Sequence, residues 1–310
     1  MKLIRGLLNH AQHSEQFSRG CVASIGNFDG LHLGHQRLLS HLAEKSNALN
    51  LPSSIISFEP LPAEFFMPSP PTRIYPLRDK VRLLKQLRVD YYMNLRFNKA
   101  LANMSAEDFV QQFLLEQLKV RYLVVGDDFR FGKQRRGDFQ LLKSMGATAG
   151  MQVCDTPTCH YKDKRISSTL IRQYLARGEL TSSQKLLGNP YQLSGRVRHG
   201  NKRGRTIGFP TLNLLMPDNI APARGVYAVQ VKGLGDHTLT GVASLGNNPT
   251  VGGNEVRLET YVFDYNENAY GQYVCIQLDK FLRAEEKFDS VAIMKQQIDK
   301  DAAIARQFYN

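Results

Sequence analysis

No run of 18 apolar residues occurs in this 310-residue chain, so nothing in it is expected to span a membrane. The opening MKLIRGLLNHAQHSEQ returns to polar residues too soon for a secretory h-region, so no signal peptide is expected. Cysteine is scarce: Cys21, Cys154, Cys159 and Cys275 form no CxxC pair and no zinc-ligand spacing. A chain long enough for two hydrophobic cores does not need a disulfide framework, and a reducing cytoplasm is the expected compartment. Internal repeats and low-complexity tracts are also missing. With 42% hydrophobic and 22% charged residues the chain is not of the disordered class.

Acidic residues are in deficit, 28 Asp+Glu against 40 Lys+Arg, a net charge of +12. Phosphate-bearing partners follow: nucleic acid, a membrane surface or a nucleotide. Residues 1–185 carry 26 basic and 16 acidic side chains, and residues 186–310 carry 14 and 12, so the excess lies in the first half. Its densest cluster, Arg130, Lys133, Arg135 and Arg136, is interleaved with glycine, phenylalanine and acids. That pattern favours a local phosphate site over a sheath for a polymer, and no RNP-like or helix-turn-helix pattern points to specific nucleic acid.

The first half alternates β-rich runs (Cys21–Ile25, Ser54–Phe58, Tyr91–Leu95, Tyr122–Val125, Met151–Cys154) with helical periodicity (His35–Leu49, Asp79–Leu87, and Ser105–Leu118 behind a Ser105-x-x-Asp108 cap). Strict alternation implies a parallel sheet covered on both faces, with ligands where strand C-termini meet helix N-termini. After a helical stretch, Ser168–Leu187, the texture changes at Gly188-Asn189-Pro190. Beyond it Tyr191–Arg198, Gly225–Lys232, Thr238–Ser244, Val256–Asp264 and Tyr273–Phe281 read as strands without intervening helices, an antiparallel barrel or sandwich. A last helix, Glu285–Phe308, places Phe288, Val291, Met294, Ile298 and Ala305 on the face expected to pack on it. The domains are therefore read as 1–187 and 188–310.

Two segments carry chemistry. Ile25-Gly26-Asn27-Phe28-Asp29-Gly30-Leu31-His32-Leu33-Gly34-His35 leaves the first strand and enters the first helix. Glycines permit close backbone approach, helix-start amides face an anion, and two imidazoles three apart can donate to phosphate oxygens. A lone histidine here would be a surface or capping residue, and a zinc pair lacks a third ligand. In the second half, Gly200-Asn201-Lys202-Arg203-Gly204-Arg205-Thr206-Ile207-Gly208-Phe209-Pro210-Thr211-Leu212-Asn213 is no Walker loop, because the GKS/GKT ending and the following helix are missing. Read as a strand, Thr211 and Asn213 occupy alternate positions and point to one side, where they could share a hard cation.

The HxGH segment is similar to that of the nucleotidyltransferase superfamily. Phe58-Glu59-Pro60-Leu61-Pro62 resembles its FEPHP segment with Leu61 replacing histidine; Val125 to Gly132 resembles VGxDFRFG; and Arg165-Ile166-Ser167-Ser168-Thr169-Leu170-Ile171-Arg172 resembles RISSTxIR. Together they resemble the FAD synthetase module of the bacterial bifunctional riboflavin kinase/FAD synthetase family. GRTIGFPTLN, Gly225-Val226-Tyr227, Gly241 to Thr250 and Glu259 to Asp264 are similar to its kinase module, with Leu212 inside the PTAN ending and Tyr261 where histidine is common.

The resemblance implies an α/β plus β protein: a Rossmann-like HxGH nucleotidyltransferase domain with a parallel sheet, then a riboflavin kinase antiparallel β-barrel with a terminal helix. It implies phosphorylation of riboflavin by ATP to FMN and adenylylation of FMN to FAD, with Mg2+ as cofactor and small molecules rather than membranes as partners. In the first domain His32, His35 and Arg165 would neutralise phosphate charge. Gly26, Phe28, Asp29, Gly34, Ser168, Thr169 and Arg172 would bind ATP, and Phe58, Pro60, Asp128, Phe129 and Arg130 the flavin. In the second, Glu259 would be the base and Thr211 and Asn213 the metal ligands. Gly200, Gly204, Arg205, Gly208, Pro210 and Arg283 would line the ATP and flavin sites. On residue type alone Glu259 reads as a solvent-facing carboxylate, a reading the resemblance reverses, and Arg283 has a surface ion pair as its alternative. The other functional classes are a nucleic-acid binder and an adenylyltransferase carrying a non-catalytic flavin sensor; the presence of Thr211, Asn213 and Glu259 together argues against the latter.

Overall fold

The computed structural model describes residues 1–6, 15–200, 208–250 and 253–310. They form two compact units, Met1–Pro71 with Val81–Ile166, and Thr72–Lys80 with Ser167–Asn310. The change of sequence texture at residues 188–190 and the packing boundary after Ile166 are thus separate places in the chain.

In the first unit six strands, β1 (Lys2–Arg5), β2 (Cys21–Ile25), β3 (Ser53–Glu59), β4 (Tyr91–Arg96), β5 (Val120–Gly126) and β6 (Gln152–Thr156), form a parallel sheet in the order β1-β4-β3-β2-β5-β6. All five residues of β2 are buried, as a central parallel strand covered on both faces requires. The strand β1 was not foreseen; its four residues at a sheet edge are too few to show a period. From β2 the chain moves to β3 on one side and later returns to β5 on the other, which makes the C-terminal end of β2 a topological switch point. The helices are α1 (Leu33–Leu49), α2 (Pro62–Phe66), α3 (Leu77–Leu84), α4 (Lys99–Asn103), α5 (Ala106–Asp108) and α6 (Phe139–Ala149), of which α3 begins in the second unit. The Ser105 side chain caps α5, accepting from Asp108 N–H at 2.9 Å, as the sequence suggested. The coil then widens into a π-helical stretch, Phe109–Gln117, that buries Phe109, Val110, Phe113 and Leu114.

A small hairpin, β7 (His160–Tyr161) and β8 (Lys164–Arg165), leads to the second unit. Its helices α7 (Ser168–Ala176) and α8 (Leu180–Leu187) precede a six-stranded antiparallel sheet, β9 (Gln192–Arg196), β10 (Thr211–Met216), β11 (Gly225–Lys232), β12 (Leu239–Thr250), β13 (Gly253–Val262) and β14 (Tyr273–Ala284). The order is β10-β13-β12-β11-β14-β9, and a bridge between Arg198 and Asn213 brings the two edges together into a nearly closed barrel. Leu214, Val229, Leu245, Leu258 and Ile276 are fully buried in its core.

The terminal helix α9 (Val291–Tyr309) packs on the outer face of β11 and β12, where Ala302 and Ala305 meet Val226, Ala228 and Val242. The expected face needs correction at its start. Strand β14 runs to Ala284, the helix begins only after its Ser290 cap, and Val291 is exposed; the buried stripe is Asp301, Ala302 and Ala305.

Candidate active sites

The first candidate site lies at the C-terminal edge of the parallel sheet. The loop leaving β2 turns through left-handed backbone at Phe28 (φ 47°), Gly30 (φ 89°) and Leu31 (φ 44°), and buries Phe28 and Asp29. His32 caps α1: its Nδ1 accepts from His35 N–H at 3.3 Å, so a neutral His32 carries its proton on Nε2. The two imidazoles stack with centroids 3.7 Å apart, and Phe28 packs on His35 at 5.3 Å. A Cβ on Gly34, in the first turn of α1 between the two histidines, would stand 3.2 Å from the His32 ring, so a glycine there lets the ring lie close on the helix. Two imidazoles at a helix N-terminus on the switch point have the chemistry that an anion site requires.

The end of β3 brings Phe58 against Phe97, edge to face at 5.7 Å, and Phe97 also packs on Phe65 and Phe66. Pro60 is exposed. Leu61 is buried and opens α2 through its backbone, its N–H donating to Glu64 Oε2 at 2.9 Å, so this position works here as an apolar plug. From the end of β5, Phe129 stacks on Phe131 at 5.6 Å, while Arg130 is exposed and donates to the Phe129 carbonyl. Arg165 does not stand alone: its Nη2 lies 2.7 Å from Asp128 and 3.3 Å from Asp127, with Thr158 donating to Asp127. Ser168, Thr169 and Arg172 belong to α7 in the second unit, where Ser167 caps the helix and Arg172 donates to the Thr72 carbonyl.

The second candidate site is set by strand register. Asn213 on β10 faces Glu259 on β13, which faces Ser244 on β12, which faces Val226 on β11, which faces Arg283 on β14. Directly paired residues project to the same face, so these side chains stand in one row on the outer side of the sheet. In the next row Thr211 faces Tyr261. Asn213 is buried, its Nδ2 lies 3.3 Å from the Thr211 carbonyl and 3.4 Å from the Thr211 hydroxyl, and its Oδ1 has no hydrogen-bond partner among the described residues. Gly200 closes over it: a Cβ there would stand 2.5 Å from Asn213 Oδ1. Glu259 is half-buried. Tyr261 is wedged edge to face between Phe209 (5.1 Å) and Phe263 (5.8 Å), a packing role.

A cavity of about 370 Å³ opens beside Thr211, lined by Val197, Pro210, Leu212, Tyr265 and Tyr270 among others. Gly208 adopts φ 91° just before it; Gly204 and Arg205 lie outside the described residues. Arg283 is engaged with the terminal helix, its Nε and Nη2 at 3.0 Å and 2.7 Å from Asp301 and its guanidinium over the Phe288 ring. Sequence reading did not single out Phe97, Ser244 or the Tyr265–Tyr270 loop. Ser244 was within reach, because register from a strand containing Glu259 points to it; Phe97 and the loop carry no such pattern.

Comparison with known proteins covers the whole chain. Residues 14–170 match the family described as FAD synthetase and residues 187–309 the family described as riboflavin kinase. The chain is 44% identical over 310 residues to the bifunctional riboflavin kinase/FMN adenylyltransferase of Escherichia coli (strain K12), covering 100% of this chain and 98% of the relative. Identity to the protein so named in Haemophilus influenzae is 42% over 311 residues, covering 100% of both. Among solved structures, one described as a macrolide-efflux protein from Streptococcus pneumoniae matches with a TM-score of 0.77 and 32% identity, covering 93% of this chain and 94% of that one. Among the described residues no helix is long and apolar enough to cross a membrane.

Proposed function

The chain belongs to the family of bifunctional riboflavin kinases/FMN adenylyltransferases, and from that premise we propose how its residues divide the work. It phosphorylates riboflavin with ATP to FMN and adenylylates FMN with ATP to FAD, releasing pyrophosphate. The functional division is 1–187 for adenylylation and 188–310 for phosphorylation, supported by where the two family matches end and begin.

In adenylylation the attacking FMN phosphate is ionised at pH 7, so the protein supplies alignment and charge rather than a base. His32 and His35 donate to the α-phosphate and the departing pyrophosphate, and the stacked geometry on the α1 N-terminus supports that role. Gly26, Phe28, Asp29 and Gly34 shape the loop around ATP, and Ser168, Thr169 and Arg172 hold its phosphates. Arg165 reaches phosphate by exchanging its aspartate partners for it, since Asp127 and Asp128 balance its charge in their absence. Phe58, Pro60, Asp128, Phe129 and Arg130 receive the flavin, with Phe97 as an added aromatic wall.

In phosphorylation the ribityl hydroxyl is a poor nucleophile, and Glu259 takes its proton as it attacks the γ-phosphorus. The observation that carries this assignment is the pairing of Glu259 with Asn213, which sets a carboxylate beside an amide oxygen that no described residue satisfies. A hard cation suits that oxygen and the neighbouring Thr211 hydroxyl, so Thr211 and Asn213 would hold Mg2+. When bound, Mg2+ neutralises phosphate charge. Gly200, Gly208 and Pro210 are assigned to ATP and flavin binding, as the resemblance implies for Gly204 and Arg205, and the purine is assigned to the cavity beside Thr211 and Pro210. Arg283 steadies the flavin end through its pair with Asp301. A cytoplasmic setting completes the reading. The test is to incubate purified protein with riboflavin, ATP and Mg2+ and resolve FMN and FAD by chromatography; Glu259→Gln is expected to slow FMN formation severely while supplied FMN still becomes FAD.

A further inference from the structure

The edges of the barrel are β9 and β10, and just past β9 one backbone bridge joins them among the described residues, in which Arg198 N–H donates to the Asn213 carbonyl at 2.9 Å. Elsewhere along that seam, edge carbonyls need another donor. Arg78 provides it. Its Nε donates to the Ser194 carbonyl on β9, while its Nη2 donates to the Leu215 carbonyl on β10 at 3.0 Å and lies 3.3 Å from Met216 Sδ. One planar guanidinium thus ties both edges together, two residues along β10 from Asn213.

The arginine is itself anchored. Its neighbour Asp79, fully buried, accepts from the Ser194 N–H and hydroxyl, and that hydroxyl lies 2.6 Å from Tyr273 Oη. Upstream, Arg73 N–H donates to the Asn219 carbonyl at 2.7 Å and Ala221 N–H to the Arg73 carbonyl at 2.8 Å, while the Tyr191 hydroxyl donates to the Ile74 carbonyl. The segment Thr72–Lys80 is therefore built into the second unit although the chain places it in the first half.

We propose that Arg78 is a positioning residue for the phosphorylation of riboflavin, fixing β10 so that Thr211 and Asn213 meet the cation and the ATP phosphates. The proposal rests on the assignment of those two residues given above. Strand β13, which carries Glu259, is paired along its length with both β10 and β12, so it keeps its place without the clasp; β10 is paired along its length with β13 only and, on its other side, is held among the described residues by the single Arg198 bridge and by Arg78. The consequence falls on the ATP side of the reaction and spares the flavin side.

The experiment compares full-length Arg78→Met and Arg78→Lys with the unaltered chain, measuring kinase constants and, separately, conversion of supplied FMN to FAD. Arg78→Met is expected to raise the KM for ATP about tenfold, with the KM for riboflavin and the FMN-to-FAD rate unchanged. Arg78→Lys, which keeps the charge but cannot serve both carbonyls, is expected to give a smaller rise of the same kind. Kinase constants unchanged in a folded Arg78→Met chain overturn the proposal. Should that chain fail to fold, an unchanged KM for ATP in Arg78→Lys overturns it equally. Parallel loss of both reactions in both variants also overturns it, by making Arg78 a residue of general stability. Thr211→Ala separates the two levels: if it leaves the KM for ATP unchanged the site assignment fails, whereas a failed clasp leaves Thr211→Ala damaging and Arg78→Met silent.

Discussion

The two halves of this chain place their reactive groups by opposite means. In the parallel unit they gather on loops at one edge of the sheet, where β2, β3 and β5 end, and each loop is a contiguous run of sequence. In the antiparallel unit Asn213, Glu259 and Ser244 come from separate strands and meet only because the register aligns them. Loop placement lets a site be read as a motif. Register placement hides it in ordinary strand residues, and demands a rigid barrel in return.

The contrast breaks hardest at Glu259. Glu259→Gln keeps volume and hydrogen bonding, so a solvent-facing residue would tolerate it, whereas a base would not; the kinase rate is expected to fall by on the order of 10² to 10⁴. Conversion of FMN to FAD in the same preparation reports folding. In the other half, replacing His32 and His35 together by Ala is expected to lower FAD formation by on the order of 10² to 10³ while FMN formation stays near its original rate. Normal FAD synthesis in a double variant with an intact circular dichroism spectrum would remove both imidazoles from the reaction.

Smaller effects sharpen the picture. Asp301 is buried against Arg283, so Asp301→Ala removes the nearer carboxylate from a largely buried guanidinium and leaves it only Glu286, at 3.7 Å. A loss of about 3 kcal/mol from the stability of the barrel unit is expected, read as an earlier denaturant midpoint for the kinase than for the adenylylation activity. Least of all should change at Cys21, whose burial pushes its thiol up to about 12. Its pKa is raised, so at pH 7 the thiol is protonated and inert, and iodoacetamide should label Cys154, Cys159 or Cys275 first by mass spectrometry.

What was legible in the sequence follows the same division. The Gly26 to His35 loop and the strand and helix beside it were readable because turn chemistry, capping and buried runs sit together in one window. The strand β10 was visible only as the alternation of Thr211 and Asn213, and β1 not at all. The outer helix face was misjudged at Val291 because apolar periodicity continued past the point where the chain leaves β14 and starts again at Ser290. Arg78 could not have been found, since nothing in PLRDK says that a guanidinium there meets carbonyls on strands more than a hundred residues away.

The register row that sets Asn213, Glu259 and Ser244 side by side has a hereditary consequence. A single codon inserted within β13 ahead of Glu259 would exchange the two faces of the strand beyond it, sending the carboxylate toward the interior that Leu258 and Leu245 fill and bringing an apolar side chain out beside Asn213. A codon added between Met67 and Pro71 would merely lengthen an exposed connection. Length changes in the gene should therefore accumulate in the turns of the barrel and in the loops of the first half, while the spacing within β10, β12 and β13 stays fixed.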